Sequence, residues 1–113
     1  MRAADRTLFE DMKILRELAQ EAGKLAQSFM QGDNQAETWH KTGGSPVTEA
    51  DMAVNQLCAD RLTQFRPEYG WLSEETLDNP DARRRDRCWV VDPIDGTRAY
   101  IRGDPYWCIG LAI

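Results

Sequence analysis

The spacing of apolar residues changes near residue 70, and that change restricts the chain to folds that layer helices against strands. Between residues 5 and 30, Leu8, Met12, Leu15, Leu18, Ala19, Ala22, Leu25, Ala26 and Phe29 recur at steps of three and four. That period predicts an amphipathic helix with one buried face. Arg6, Glu10, Lys13, Glu17 and Lys24 fall mostly on the other side, and Gln31-Gly32-Asp33-Asn34 reads as its stop. Residues 40–47 hold two adjacent glycines and a proline, which predicts an irregular, flexible loop. A second helix is predicted from Thr48, because Thr48-Glu49-Ala50-Asp51 forms a capping box with Asp in the place of Glu or Gln. Val54, Leu57, Cys58, Leu62 and Phe65 give its buried stripe, and Pro67 and Gly70 end it. Beyond Trp71 the runs shorten. Trp71–Glu74 is a short candidate strand, and residues 76–87 read as a solvated connection. Cys88–Val91 is a strand ended by Asp92-Pro93, and residues 106–113 are a third strand. Helices followed by strands predict an α+β layered domain, with two helices packed on an antiparallel-type sheet.

The last strand ends on Trp107-Cys108-Ile109-Gly110-Leu111-Ala112-Ile113 with no polar tail. A free apolar edge of this kind is usually avoided, so a chain cut inside a domain is expected. The other reading is a small domain whose last strand is central and covered. Composition narrows the function classes. Nineteen acidic against fourteen basic residues leave a charge of −5, which argues against a nucleic-acid polymer or an anionic membrane surface as partner. At 42% hydrophobic and 29% charged, the chain is too apolar for disorder and too polar for a bilayer. The sequence opens with no signal-peptide pattern. Cys58, Cys88 and Cys108 are odd in number and widely spaced, so neither a disulfide framework nor a zinc site is expected, and the cytoplasm is the default compartment. Hard, oxygen-ligated cations are the metals that remain.

The acidic residues that matter sit at the ends of elements. Glu74 and Glu75 close one strand, Asp92 closes another, and Asp95 follows inside a turn. In Asp92-Pro93-Ile94-Asp95-Gly96-Thr97, proline fixes φ and is expected to turn the chain hard after Asp92. Such a turn can aim both carboxylates and the Ile94 carbonyl at one point, a donor set suited to Mg²⁺. Gly96 allows close backbone approach, and the amides of Gly96 and Thr97 form a candidate phosphate nest. A lone Asp-Pro or Asp-Gly is usually only a turn. Six specified residues together recur by chance roughly once in tens of millions of positions.

Trp89-Val90-Val91-Asp92-Pro93-Ile94-Asp95-Gly96-Thr97 resembles the signature of the inositol monophosphatase family, which are Mg²⁺-dependent, lithium-sensitive phosphomonoesterases. Leu72-Ser73-Glu74-Glu75-Thr76 resembles the family's acidic doublet, and Val47-Thr48-Glu49-Ala50-Asp51 its upstream aspartate segment. The resemblance covers about residues 41–113 and implies the N-terminal portion of an αβαβα sugar-phosphatase-like domain. It implies that Glu74, Asp92 and the Ile94 carbonyl hold a first metal, and that Asp92 bridges to a second also held by Asp95. It implies that Glu74 and Thr97, with Asp51 hydrogen-bonded to Thr97, orient and deprotonate the attacking water. Gly96 and Thr97 would hold phosphate, Lys41 would approach the site, and Glu75 would support a weaker metal. The family's further metal-ligating aspartate, in a downstream Trp-Asp motif, has no counterpart here, so weak metal binding and little turnover are expected of residues 1–113 alone.

The expected substrate is a small phosphomonoester. Tyr69-Gly70-Trp71-Leu72-Ser73-Glu74-Glu75 and Pro105-Tyr106-Trp107-Cys108 resemble the bacterial 3′(2′),5′-bisphosphate nucleotidase branch, while histidinol-phosphate phosphatases share the Thr97-Arg98 step. Arg98 could meet a second phosphate or be simply solvated. The four tryptophans read as core or rim packing, and the three cysteines as small buried hydrophobes. His40 carries no assigned role. Arg83-Arg84-Arg85 with Arg87 reads as a solvated basic patch. Family members are often dimers, so a homodimer is an expected partner. The rival reading is a non-catalytic half-domain that binds or dimerises through its last strand.

Overall fold

The structure, a computed structural model, describes residues 2–30, 38–40, 46–76 and 80–113. The first helix, α1 (Ala3–Ser28), is followed by two short antiparallel strands, β1 (Thr38–His40) and β2 (Pro46–Thr48). Thr48 ends β2 and also caps α2 (Glu49–Phe65) through the full capping box: its hydroxyl accepts from the Asp51 amide, and the Asp51 carboxylate accepts from the Thr48 amide. The expected loop is therefore shorter than residues 40–47. His40, Pro46 and Val47 are strand residues, because Pro46 opens β2 at a point where a proline can begin a short strand. Lys41 lies outside the described residues.

β3 (Gly70–Ser73), β4 (Cys88–Asp95) and β5 (Cys108–Ala112) form a sheet in the order β3-β4-β5. The expectation of an antiparallel-type sheet is corrected in part. β3 and β4 run parallel, whereas β4 and β5 are antiparallel. Residues 74–87 are long enough for the crossover that parallel pairing needs. Within them, the 3₁₀ turn Ala82–Arg84 seats Ala82 against Gly70, where a Cβ would collide with the Ala82 carbonyl.

Asp92-Pro93 does not end its strand, contrary to expectation. β4 continues to Asp95, with Asp92 opposite Gly110 and Asp95 opposite Cys108, so one extra residue is taken up in β4. A bulge tolerates a proline because the ladder is already broken there. It also breaks the in-out alternation. Trp89 and Val91 are buried with Val90 exposed between them, and then Pro93 and Ile94 are buried in succession.

The core lies between the helices and one face of the sheet. Leu15, Leu18, Ala22 and Ala26 of α1 meet Ala50, Val54, Cys58 and Leu62 of α2 over Trp89, Val91 and Ile94. α3 (Thr97–Ile101) closes one end, where Tyr100 is buried and its hydroxyl donates to the Ala26 carbonyl at 2.7 Å. Two expected core residues are outside it. Leu8 and Met12 are 41% and 49% exposed. The buried line of α1 begins instead at Asp11.

Candidate active site

Three segments carry the acidic residues to one end of the parallel pair. Asp51 is on the first turn of α2, Glu74 and Glu75 are in the turn after β3, and Asp92 and Asp95 are on the bulged end of β4. The Glu74 amide donates to the Val91 carbonyl at 3.1 Å, so the parallel pairing extends past β3 and holds Glu74 alongside β4. Asp92 is half-buried, and its carboxyl is pushed up to about 6. Burial is the largest cause, followed by the negative charges of Asp95, Glu74, Glu75 and Asp51. These carboxylates therefore share one electrostatic environment.

The gathered set is not closed. Among the described residues, no group of three or more His, Cys, Asp or Glu side chains is arranged to hold a metal ion. Glu74 lines a cleft of about 430 Å³ with Ser73, Thr76 and Arg83, and Asp92 is not among its walls. The hard turn expected after Asp92 is not made. The strand continues through the bulge, Asp95 is exposed, and the Ile94 carbonyl lies 3.1 Å from the Thr97 hydroxyl oxygen.

Thr97 and Asp51 are brought together across the fold. The Thr97 hydroxyl is 3.0 Å from one Asp51 carboxylate oxygen, and the other oxygen accepts from the Thr48 amide at 2.8 Å and from the Thr48 hydroxyl. Asp51 is fully buried, so this set of donors replaces its lost hydration. Thr97 owes its position to Gly96, whose φ of 91° is left-handed and turns the chain from β4 into α3. A Cβ at Gly96 would also sit 3.0 Å from the Tyr106 carbonyl. Arg98 points from α3 as an exposed side chain.

Sequence reasoning missed Asn55. It is nearly buried on α2, one turn beyond Asp51, and bonds both Ser73 and Thr76 around the Glu74–Glu75 turn. A polar residue inside the apolar stripe of Val54 and Cys58 was the available signal. The cysteines divide. Cys58 is buried and its thiol is pushed up to about 12 by burial, which suits packing rather than nucleophilic chemistry. Cys88 is half-buried and Cys108 is exposed at the start of β5, so the expectation that all three are buried is corrected. Trp89 is fully buried, and Trp71 and Trp107 pack against the core.

Comparison with known proteins places this arrangement in context. The model of the inositol monophosphatase family matches residues 8–113. A histidinol-phosphatase of Chlorobaculum parvum is 34% identical over 103 residues, which is 91% of this chain and 39% of that protein. The 3′(2′),5′-bisphosphate nucleotidase CysQ of Escherichia coli K12 is 32% identical over 98 residues, covering 86% of this chain and 40% of that protein. Among solved structures, an IMPase of Thermotoga maritima superposes with a TM-score of 0.77 at 30% identity, over 91% of this chain and 39% of that one. An IMPase/NADP phosphatase complexed with Mg²⁺ and phosphate superposes with a TM-score of 0.72 at 28% identity, over 93% of this chain and 39% of that one. The chain thus spans about two-fifths of the length of the relatives it matches.

Proposed function

The chain belongs to the inositol monophosphatase family, and on that premise we propose that it contributes the metal-gathering part of a Mg²⁺-dependent phosphomonoesterase. The observation that supports this most is the crowd of like charges around Asp92, drawn from three separate segments. A hard divalent cation is the ligand that such an oxygen set fits, because it offsets the repulsion among the carboxylates. The likeness to a phosphatase structure containing Mg²⁺ and phosphate agrees with that donor chemistry. On this reading Glu74, Asp92, Asp95 and the Ile94 carbonyl would hold the metal. The ion supplies Lewis acidity toward water and phosphoryl oxygen.

The protein's own groups supply direction. The Thr97 hydroxyl donates to buried Asp51, which leaves its lone pairs to accept a proton from an approaching water, with Asp51 as the final base. Glu74 is the second acceptor for that water. The Gly96 and Thr97 amides, Arg98 and Lys41 are assigned to the phosphorylated substrate, whose dianion must be oriented before in-line attack. The substrate class is a small phosphomonoester such as an inositol phosphate, a 3′,5′-bisphosphonucleoside or histidinol phosphate, handled in the cytoplasm.

A phosphate-release screen tests this. Inositol monophosphate, adenosine 3′,5′-bisphosphate and histidinol phosphate are offered with and without Mg²⁺ to the parent and to Asp92→Asn. Mg²⁺-dependent release from one of them, inhibited by Li⁺ and lost in Asp92→Asn, is expected. Release by residues 1–113 is expected to be weak. A second reading rests on β5, which lies at the edge of the described sheet with an exposed strand face. There the chain is a non-catalytic module that dimerises through β5. Sedimentation as a dimer, with no metal-dependent release from any substrate, would favour that reading.

A further inference from the structure

The turn that carries Glu74 and Glu75 is tied to α2 by the side chain of Asn55. Asn55 Nδ2 donates to Thr76 Oγ1 at 3.1 Å, and Asn55 Oδ1 accepts from the Ser73 hydroxyl. Ser73 Oγ in turn accepts from the Glu75 amide at 3.2 Å, and the Trp71 indole donates to Thr76 Oγ1 at 3.3 Å. The Thr76 amide closes the turn onto the Ser73 carbonyl at 3.3 Å. The two residues flanking the acidic doublet are thus clamped by one amide on α2, 18 and 21 positions earlier in the chain.

The placement on α2 links this clamp to the rest of the site. Asp51 and Asn55 are four residues apart and so share a helix face. Asp51 reaches Thr97 beyond the end of β4, and Asn55 reaches the turn beyond the end of β3. One buried helix face therefore sets both flanks of Asp92. The chemistry of the amide is specific. It presents one donor and one acceptor to two hydroxyls and brings no charge to a place where carboxylates already crowd.

We infer that Asn55 is a positioning residue, which holds the Glu74–Glu75 turn against β4 so that its carboxylates are presented to a divalent cation. This rests on the metal reading of the preceding section and deepens it. Asn55 touches neither cation nor substrate.

The test uses Mn²⁺ as the probe, with its free-ion spin-resonance signal titrated against the 113-residue chain, and amide hydrogen exchange at Glu74 and Glu75 read by NMR. Asn55→Leu keeps the volume and removes both bonds. Its Mn²⁺ dissociation constant is expected to rise about tenfold, the lower range for partners that orient metal ligands. The Glu75 amide should lose protection while Glu74, bonded to Val91, keeps it. Thr76→Val, at an exposed position, removes the other arm without disturbing the helix face and should weaken Mn²⁺ about threefold, a fraction of that range. Asn55→Asp can still accept from both hydroxyls and should hold Mn²⁺ at least as tightly as the parent. Unchanged Mn²⁺ affinity in Asn55→Leu and Thr76→Val overturns the inference, even if Glu75 exchanges faster, because the clamp is then only structural. A parent that takes up no Mn²⁺, with normal exchange protection throughout, overturns the metal reading itself.

Discussion

Two aspartates, Asp11 and Asp92, stand at opposite ends of the parallel pair β3-β4 and receive opposite treatment. Asp11 is fully buried, and everything around it answers its charge. Arg66 Nε donates to it at 2.9 Å, the Tyr69 hydroxyl donates at 2.6 Å, and Arg87 lies 3.6 Å away. Its hydrogen bond is the main cause holding the Arg66 guanidinium above its usual range. Asp92 is less buried, yet the charges acting on it are those of four other carboxylates. A compensated carboxylate of the first kind ties α1 to the segment between α2 and β3 and asks for nothing further. An uncompensated one costs stability that the rest of the fold must carry. Such sites are where ligand chemistry is to be sought.

The difference can be broken most directly at Asp92. Asp92→Asn should weaken Mn²⁺ or Mg²⁺ uptake more than about 100-fold, since even partners one shell out cost 10–100-fold. Calorimetric or spin-resonance titration checks it. The same change should raise the thermal midpoint of the metal-free chain at pH 7 by a few degrees. The sign follows from the proton balance. The folded-state carboxyl sits at about 6 against an ordinary 3.8, so the folded state holds this proton more tightly than the unfolded chain does. The fold gains stability as pH falls through about 6 and loses it as pH rises. Melting curves from pH 7 to pH 5 should rise in the parent, flatten in Asp92→Asn, and shift upward with Mg²⁺ at pH 7 in the parent alone.

At the other end, Asp11→Ala removes a partner of Arg66 and of Arg87, while Arg66 keeps Glu10. It should destabilise the chain by about 3 kcal/mol in a denaturant titration, the low end for a broken buried pair, because Arg66 can still reach water. Metal uptake should be unaffected, and a loss of uptake matching that at Asp92 would erase the distinction between the two ends. Gly96→Ala places a Cβ on a left-handed residue against the Tyr106 carbonyl. The cost should be about 1–2 kcal/mol, together with a loosened Thr97–Asp51 pair visible as faster exchange at the start of α3. The smallest effect belongs to Arg61→Gln. Its bidentate pair with Glu21 is half-exposed on both sides, so less than about 1 kcal/mol should be lost, and that loss should fade in high salt.

Much of this was legible in the residues, for local reasons. The capping box at Thr48–Asp51 lies within four residues, so the sequence displays all of its partners, and the helix starts where the pattern says. Helical periods marked α1 and α2, and short apolar runs marked β3, β4 and β5. The acidic segments were found because their spacing is a local motif. Other features depended on neighbours far along the chain. Proline after Asp92 reads as a strand end, but pairing with β5 absorbs it in a bulge. The direction of β3 relative to β4 depends on the path of the connection between them, and no period encodes it. Leu8 and Met12 have core spacing, yet both are exposed, which spacing alone does not reveal.

The sequence by itself determined which residues could bond oxygen-loving ions, where helices begin, and which faces are apolar, because those properties belong to side chains and to spacings of a few residues. Tertiary structure alone decided which charges met. Asp11 and Asp92 are the same side chain; a local motif marks Asp92, but nothing near Asp11 in the sequence marks its partners. One was folded against two arginines drawn from 55 and 76 positions away, the other against carboxylates from α2 and the β3 turn. Electrostatic energy depends on distance in space and on access to water, and both are set only when the helices close over the sheet.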